Sequence, residues 1–230
     1  MFLDIRYLIF MLPAMILAGL ATFFTKATFS KYSRRRASSG MTGAEAARRL
    51  LQAKGIYDVT IEPVRGFLSD HYDPTSRKLR LSPEVYGSGS LSAIGVACHE
   101  AGHALQHAGK YAPLALRSAL VPATQLGSNA SYLFFLIGLF MGSMMLMKIG
   151  IGLFCLVVLF ALVTLPVEWN ATARAKDLMV EAGIVTPAER KQAGAVLNAA
   201  FLTYVASAVS ALMTLLYFLA RAGLLGGRDD

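Results

Sequence analysis

Four stretches of this chain, 7–27, 129–147, 149–166 and 199–219, run apolar for about the length that a helix needs to cross a bilayer core, roughly 20 residues. A water-soluble protein of 230 residues has little room to bury them. Hydrophobic residues make up 55% of the chain and charged residues 16%, against about 45–50% and 25% in ordinary soluble domains. The expected fold is therefore a predominantly α membrane protein, with about four transmembrane helices and a small α+β segment carried between them. The first stretch follows Arg6, as a secretory signal would. Its length exceeds the about 7–15 residues of a signal core, and basic residues rather than a small-residue cleavage site follow it, so it is read as a retained anchor.

The net charge of +8 would suggest nucleic acid in a soluble protein. Here the Lys and Arg residues gather in two inter-helix segments, with Lys31, Arg34, Arg35 and Arg36 after the first stretch and Arg174, Lys176, Arg190 and Lys191 before the last. Positive-inside bias assigns such segments to the cytoplasm. The expectation is a multi-pass protein of the cell membrane with its N-terminus and the Arg228, Asp229 and Asp230 tail outside, and no nucleic-acid partner. Two cysteines, Cys98 and Cys155, build no disulfide framework and read as small buried apolar residues.

These signals divide the chain into 1–29, an N-terminal span; 30–117, a cytoplasmic α+β segment; 118–167, a transmembrane hairpin; 168–198, a cytoplasmic helical segment; and 199–230, a last span with a short tail. In the first cytoplasmic segment, Thr42 and Glu45 form a capping box ahead of Ala44, Ala47, Leu50 and Leu51 at helical spacing, with Gly55 suited to end the helix. Tyr57, Val59 and Ile61 alternate with polar residues, as do Leu79 and Leu81, predicting two strands joined through an Asp73-Pro74 turn, the second an edge strand before the next helix. Residues 90–107 read as a helix stopped by Gly109. Thr186, Pro187 and Glu189 start another that runs into the last span.

The 90–107 helix carries His99-Glu100-Ala101-Gly102-His103, an HExxH. Residues four apart leave a helix on one face, so His99 and His103 can present imidazole nitrogens to one zinc ion while Glu100 stands beside it as a general base for water. A chance HExxH is expected only about 0.002 times in a chain of this composition. Cys98 leaves the helix about 100° away from His99, which disfavours it as a ligand. A catalytic zinc needs a third protein ligand. His107 shares the face but lies about 6 Å further along the axis. Glu168, at the inner mouth of the third span beside Trp169, is a charged group that needs a partner there, and is the expected ligand. His71, in the Asp70–Asp73 turn, and Arg174, past Glu168, are candidates to stabilise the developing oxyanion or hold substrate. Each also has a plain reading, as a turn residue and as part of the inside-positive charge.

Several motifs together, Asp70-His71-Tyr72-Asp73-Pro74, Leu79-Arg80-Leu81-Ser82, the His99 to His107 helix, and Pro166-Val167-Glu168-Trp169-Asn170-Ala171-Thr172, resemble the YugP-like membrane zinc metallopeptidases. More distantly they resemble the HtpX and CAAX-prenyl-protease type. In the HtpX type the second motif reads Glu-x-x-Ala-Asp and its Glu is the third zinc ligand. Glu168 and Ala171 match it, while Thr172 stands where that Asp orients a ligating histidine, a task its hydroxyl could take over. The resemblance implies a zincin-like domain holding one Zn2+ per chain.

The expected function is hydrolysis of peptide bonds in membrane-associated or misfolded polypeptides at the cytoplasmic face, with substrate laid along the edge strand. The alternative is a non-catalytic membrane assembly or chaperone-like protein whose structural zinc has a fourth protein ligand. A third reading is a basic, membrane-proximal binding module for anionic lipid or a partner. Expected partners are the bilayer, a polypeptide substrate, and a second copy or another membrane protein. Gly138, Gly142, Gly150 and Gly152 permit close helix contacts within or between chains.

Overall fold

The computed structural model describes residues 5–66 and 69–225; the expected outward placement of Arg228, Asp229 and Asp230 lies outside the described residues. The chain is mostly helical and divides into two compact units, drawn from Met1–Leu20, Ala115–Pro166 and Thr203–Asp230, and from Ala21–Leu114 and Val167–Leu202.

The first unit is built on a helical hairpin. Helix α5 (Ala112–Met141) ends where Gly142 takes φ +65°, and α6 (Met144–Glu181) begins two residues later. The apolar run 129–147 is thus not one span but the end of α5, a turn and the start of α6. The two helices approach through glycines. A Cβ on Gly150 would stand 2.7 Å from both Phe135 N and Ser131 O, and one on Gly138 2.6 Å from Met147 N, so these glycines serve packing within the chain. Parts of α1 (Ile5–Ser33) and α7 (Pro187–Arg221) complete the unit. Phe135 stacks on Phe218 of α7, centroids 3.9 Å apart, in a core with Met147, Ile151, Phe154 and Val158. Among the described residues, α1, α6 and α7 are long and apolar enough to cross a membrane. Helix α5 spans 30 residues, but Arg117, Gln125 and Asn129 dilute its hydropathy.

The second unit opens with α2 (Gly43–Ala53), where Glu45 N donates to Thr42 Oγ1 and Thr42 N donates to the Glu45 carboxylate, closing the capping box. Its buried face, Ala46, Ala47, Leu50 and Leu51, joins one core with Ile94, Ala97, Cys98 and Ala101 of α4 (Leu91–Ala108). A three-stranded sheet holds β1 (Thr60–Pro63), β2 (His71–Asp73) and β3 (Lys78–Leu81), with α3 (Pro83–Tyr86) as one short turn after it.

The sheet corrects the sequence reading in two ways. Strand β3 is central rather than an edge: it pairs parallel with β1 and, on its other side, antiparallel with β2, a strand the sequence reading did not include; Leu79 and Leu81 are both fully buried. The Asp73-Pro74 turn therefore joins β2 to β3, not β1 to β3. Asp73 shapes that turn by accepting from Thr75 N at 2.9 Å and Ser76 Oγ at 2.6 Å, ahead of Arg77 at φ +51°. These hydrogen bonds, the Ser76 hydroxyl foremost, hold the Asp73 carboxyl down to about 2.

Candidate metal centre

Helix α4 starts at Ser90, whose hydroxyl accepts from Ala93 N, and runs unbroken to Ala108. Its regularity sets His99 and His103 one turn apart on one face, ring centroids 4.8 Å apart and nearly perpendicular. Glu168 lies within α6, two residues after Pro166, and not at a helix end as the span prediction implied. The two helices can meet because residue 102 has no side chain: a Cβ there would stand 2.8 Å from the carbonyl oxygen of Ala171. Glu168 Oε2 consequently sits 3.0 Å from His99 Nε2 and 3.5 Å from His103 Nε2, with its side chain 1% exposed. One donor atom from each of the three lies within 4.8 Å of the others.

The imidazole protons are set by a chain of amides. Gln106, fully buried, donates through Nε2 to Val167 O at 2.8 Å and to Asn170 Oδ1 at 3.0 Å. Asn170 Oδ1 also accepts from Arg174 Nε at 2.8 Å, which fixes that amide's orientation. With its nitrogen so engaged, Gln106 turns Oε1 to His103 Nδ1 at 3.0 Å. An oxygen can only accept, so His103 carries its proton on Nδ1 and keeps the Nε2 lone pair for a metal. His99 is matched on the other side by Thr172 Oγ1, 3.3 Å from its Nδ1.

Two imidazole nitrogens and one carboxylate oxygen suit zinc. Bonds of about 2.0–2.1 Å at tetrahedral angles separate ligand atoms by about 3.3–3.4 Å, and the Glu168 separations of 3.0 and 3.5 Å bracket that value. Glu100, the next residue along α4, is partly buried, and its carboxylate makes no hydrogen bond to protein among the described residues. Burial raises its pKa.

The other sequence candidates lie elsewhere. His107 Nδ1 meets Tyr72 Oη at 2.9 Å and is not in the donor cluster. His71 is an exposed residue of β2. Its Nδ1 donates to Ser69 O at 2.8 Å, and Arg80 Nη1 points at its Nε2 at 3.4 Å, so both ring nitrogens are engaged in the sheet. Arg174 braces Asn170 as described. Cys98 is buried with its thiol pushed up to about 12 by desolvation, an inert side chain. Gln106 and Asn170 had no assigned part in the sequence reading. For Gln106 the available signal was position, three residues after His103 and so on the same helix face; Asn170, two residues after Glu168, points to another side of its helix and carried no such signal.

Long apolar helices in a chain that also carries a His–His–Glu donor set are the parts of a membrane zinc metallopeptidase, and the comparisons bear on that class directly. Residues 7–223 match the family model described as "Putative neutral zinc metallopeptidase", and the chain belongs to that family. A protein of Bacillus subtilis (strain 168) described as "Putative membrane protease YugP" is 49% identical over 219 residues, covering 95% of this chain and 96% of the relative. No solved structure matches the chain.

Proposed function

We propose that this chain is a multi-pass membrane zinc metallopeptidase that cleaves membrane-associated or misfolded polypeptides at the cytoplasmic face. The observation that carries the reading is the convergence of His99, His103 and Glu168 next to a carboxylate, Glu100, that makes no hydrogen bond to protein among the described residues. One zinc ion held by the three donors would supply Lewis acidity, polarising the scissile carbonyl and lowering the pKa of water toward about 7. Glu100 takes the proton of the attacking water and passes it to the departing amine nitrogen. Gln106 holds His103 in the ligating tautomer, and the Thr172 hydroxyl orients the His99 ring. His71 and Arg174 stay candidates for contact with substrate, although their hydrogen bonds favour roles in the sheet and in the amide chain.

A fourth span is supported by the hairpin. Gly127, Gly138 and Gly150 place α5 along α6 over 127–138 and 146–156, so a bilayer crossed by this part of α6 is crossed by α5 too. Four spans, with the basic residues after α1, would support a cytoplasmic donor set and α2–α4 segment. Substrate backbone would add to β2, the sheet's antiparallel edge, rather than to β3.

A structural zinc site would need a fourth protein ligand. His71 and His107, the two nearest histidines in sequence, are committed to Ser69 and Tyr72, which supports an open coordination position. The test is the purified full chain with measured zinc content, assayed on an unfolded membrane-protein substrate against Glu100→Gln. Equal zinc in both, with turnover lowered about 10²- to 10⁴-fold in the variant, is expected. Undiminished turnover, or a parent that binds no zinc, would sink the assignment.

A further inference from the structure

Gly127 of α5 faces α6, where a Cβ on it would lie 3.4 Å from Leu153 O and 3.9 Å from Leu156 Cδ1, halfway along the segment from Met144 to Pro166. Gln125 and Asn129 flank it by two residues each, hence within about 3 Å of the same depth. Two residues along a helix is about 200° around it, so both amides point away from α6. Both are exposed, and neither side chain has a hydrogen-bond partner among the described residues. At mid-depth in a bilayer an exposed amide faces hydrocarbon, which cannot replace the hydrogen bonds it makes in water.

We propose that this side of α5 is a self-association surface, covered in the membrane by the same surface of a second copy of the chain. Two features favour a second copy. A carboxamide both donates and accepts, so across a two-fold axis Gln125 and Asn129 are satisfied by their own equivalents without a differently patterned partner. The exposed residues Ser118, Pro122, Gln125 and Asn129 also follow steps of four, three and four, the seam along which two helices pack at a shallow left-handed crossing. The proposal rests on the reading that α6 crosses the bilayer, and is independent of the metal centre.

The test uses the full chain in native membranes, with Cys155→Ala and single substitutions Gln125→Cys, Asn129→Cys or Ala123→Cys; Cys98 is buried. Ala123 is exposed at nearly the same depth but about 160° around from Gln125. Oxidation is expected to give disulfide-linked dimer at 125 and 129 and little at 123. In liposomes, Gln125→Leu with Asn129→Leu should weaken dimerisation about tenfold, while Gln125→Asn with Asn129 intact retains it; because the leucine changes are apolar, loss of insertion is not a confounding outcome. A chain that stays monomeric at all protein-to-lipid ratios, or cross-links to a different protein at 125, overturns the proposal. Labelling of the Gln125→Cys thiol by a membrane-impermeant maleimide would overturn it separately, by showing that the amides are hydrated and the span misread.

Discussion

Gly102 and Ala171 stand so close that the carbonyl of one occupies the space a methyl on the other would need: 2.8 Å from an ideal Cβ. The contact is backbone on one side and an absent side chain on the other, so no rotamer can relieve it. Gly102→Ala should push α4 and α6 apart, lengthen the Glu168 contacts to both histidines and destabilise the fold by about 1–3 kcal/mol. Zinc affinity measured by chelator competition is expected to drop at least about tenfold, together with the thermal midpoint. Unchanged affinity would mean that the helices need not approach so closely to close the donor set.

The Gln106 amide makes a different prediction, because its contribution passes through proton position rather than helix spacing. Gln106→Met keeps the volume but leaves His103 Nδ1, Val167 O and Asn170 Oδ1 without their shared partner. Zinc affinity is expected to fall about 10- to 100-fold, and Thr172→Val should cost less, since the Thr172 contact to His99 is longer, at 3.3 Å. A competition titration on both variants checks the order; a larger loss in Thr172→Val would contradict it.

Asp73 gives the sheet a pH signature. Its folded-state value, about 2, lies below the unfolded carboxylate value of about 3.9, so its contribution is complete above about pH 4 and disappears as pH falls through 2. Asp73→Asn should therefore lower the thermal midpoint at pH 6 and converge with the parent near pH 2. The comparison belongs on metal-free protein, where histidine titration is common to both. A constant difference across that range would show that the turn does not depend on the charge.

Local chemistry was readable wherever it is written in consecutive residues. Thr42 with Glu45 and Thr186 with Glu189 close capping boxes as their spacing predicts, and the helix carrying His99 and His103 runs from Leu91 to Ala108. Pairing was not readable. Alternation marks 78–81 as a strand, yet nothing in it says that its neighbours are β1 in parallel and β2 on the other side, since that follows from what Leu79 and Leu81 pack against. His71-Tyr72-Asp73 is too short for alternation to show. The run 129–147 is evenly apolar, so hydropathy passes straight over the left-handed Gly142 that ends α5. The amide chain was hidden for another reason: Gln106 and Val167 are 61 residues apart, and a buried amide looks like any other until its acceptors are known.

The unit that holds the donors is assembled from two pieces of chain, Ala21–Leu114 and Val167–Leu202, with Ala115–Pro166 between them. During synthesis the histidines emerge first, and Glu168 follows only after the whole hairpin has been made. A nascent chain therefore has an incomplete zinc pocket until its central hairpin is translated, and no single contiguous fragment lacking that hairpin contains all three ligands. Closure of the donor set thus reports that the central hairpin has been made, ahead of the last helix, α7 (Pro187–Arg221).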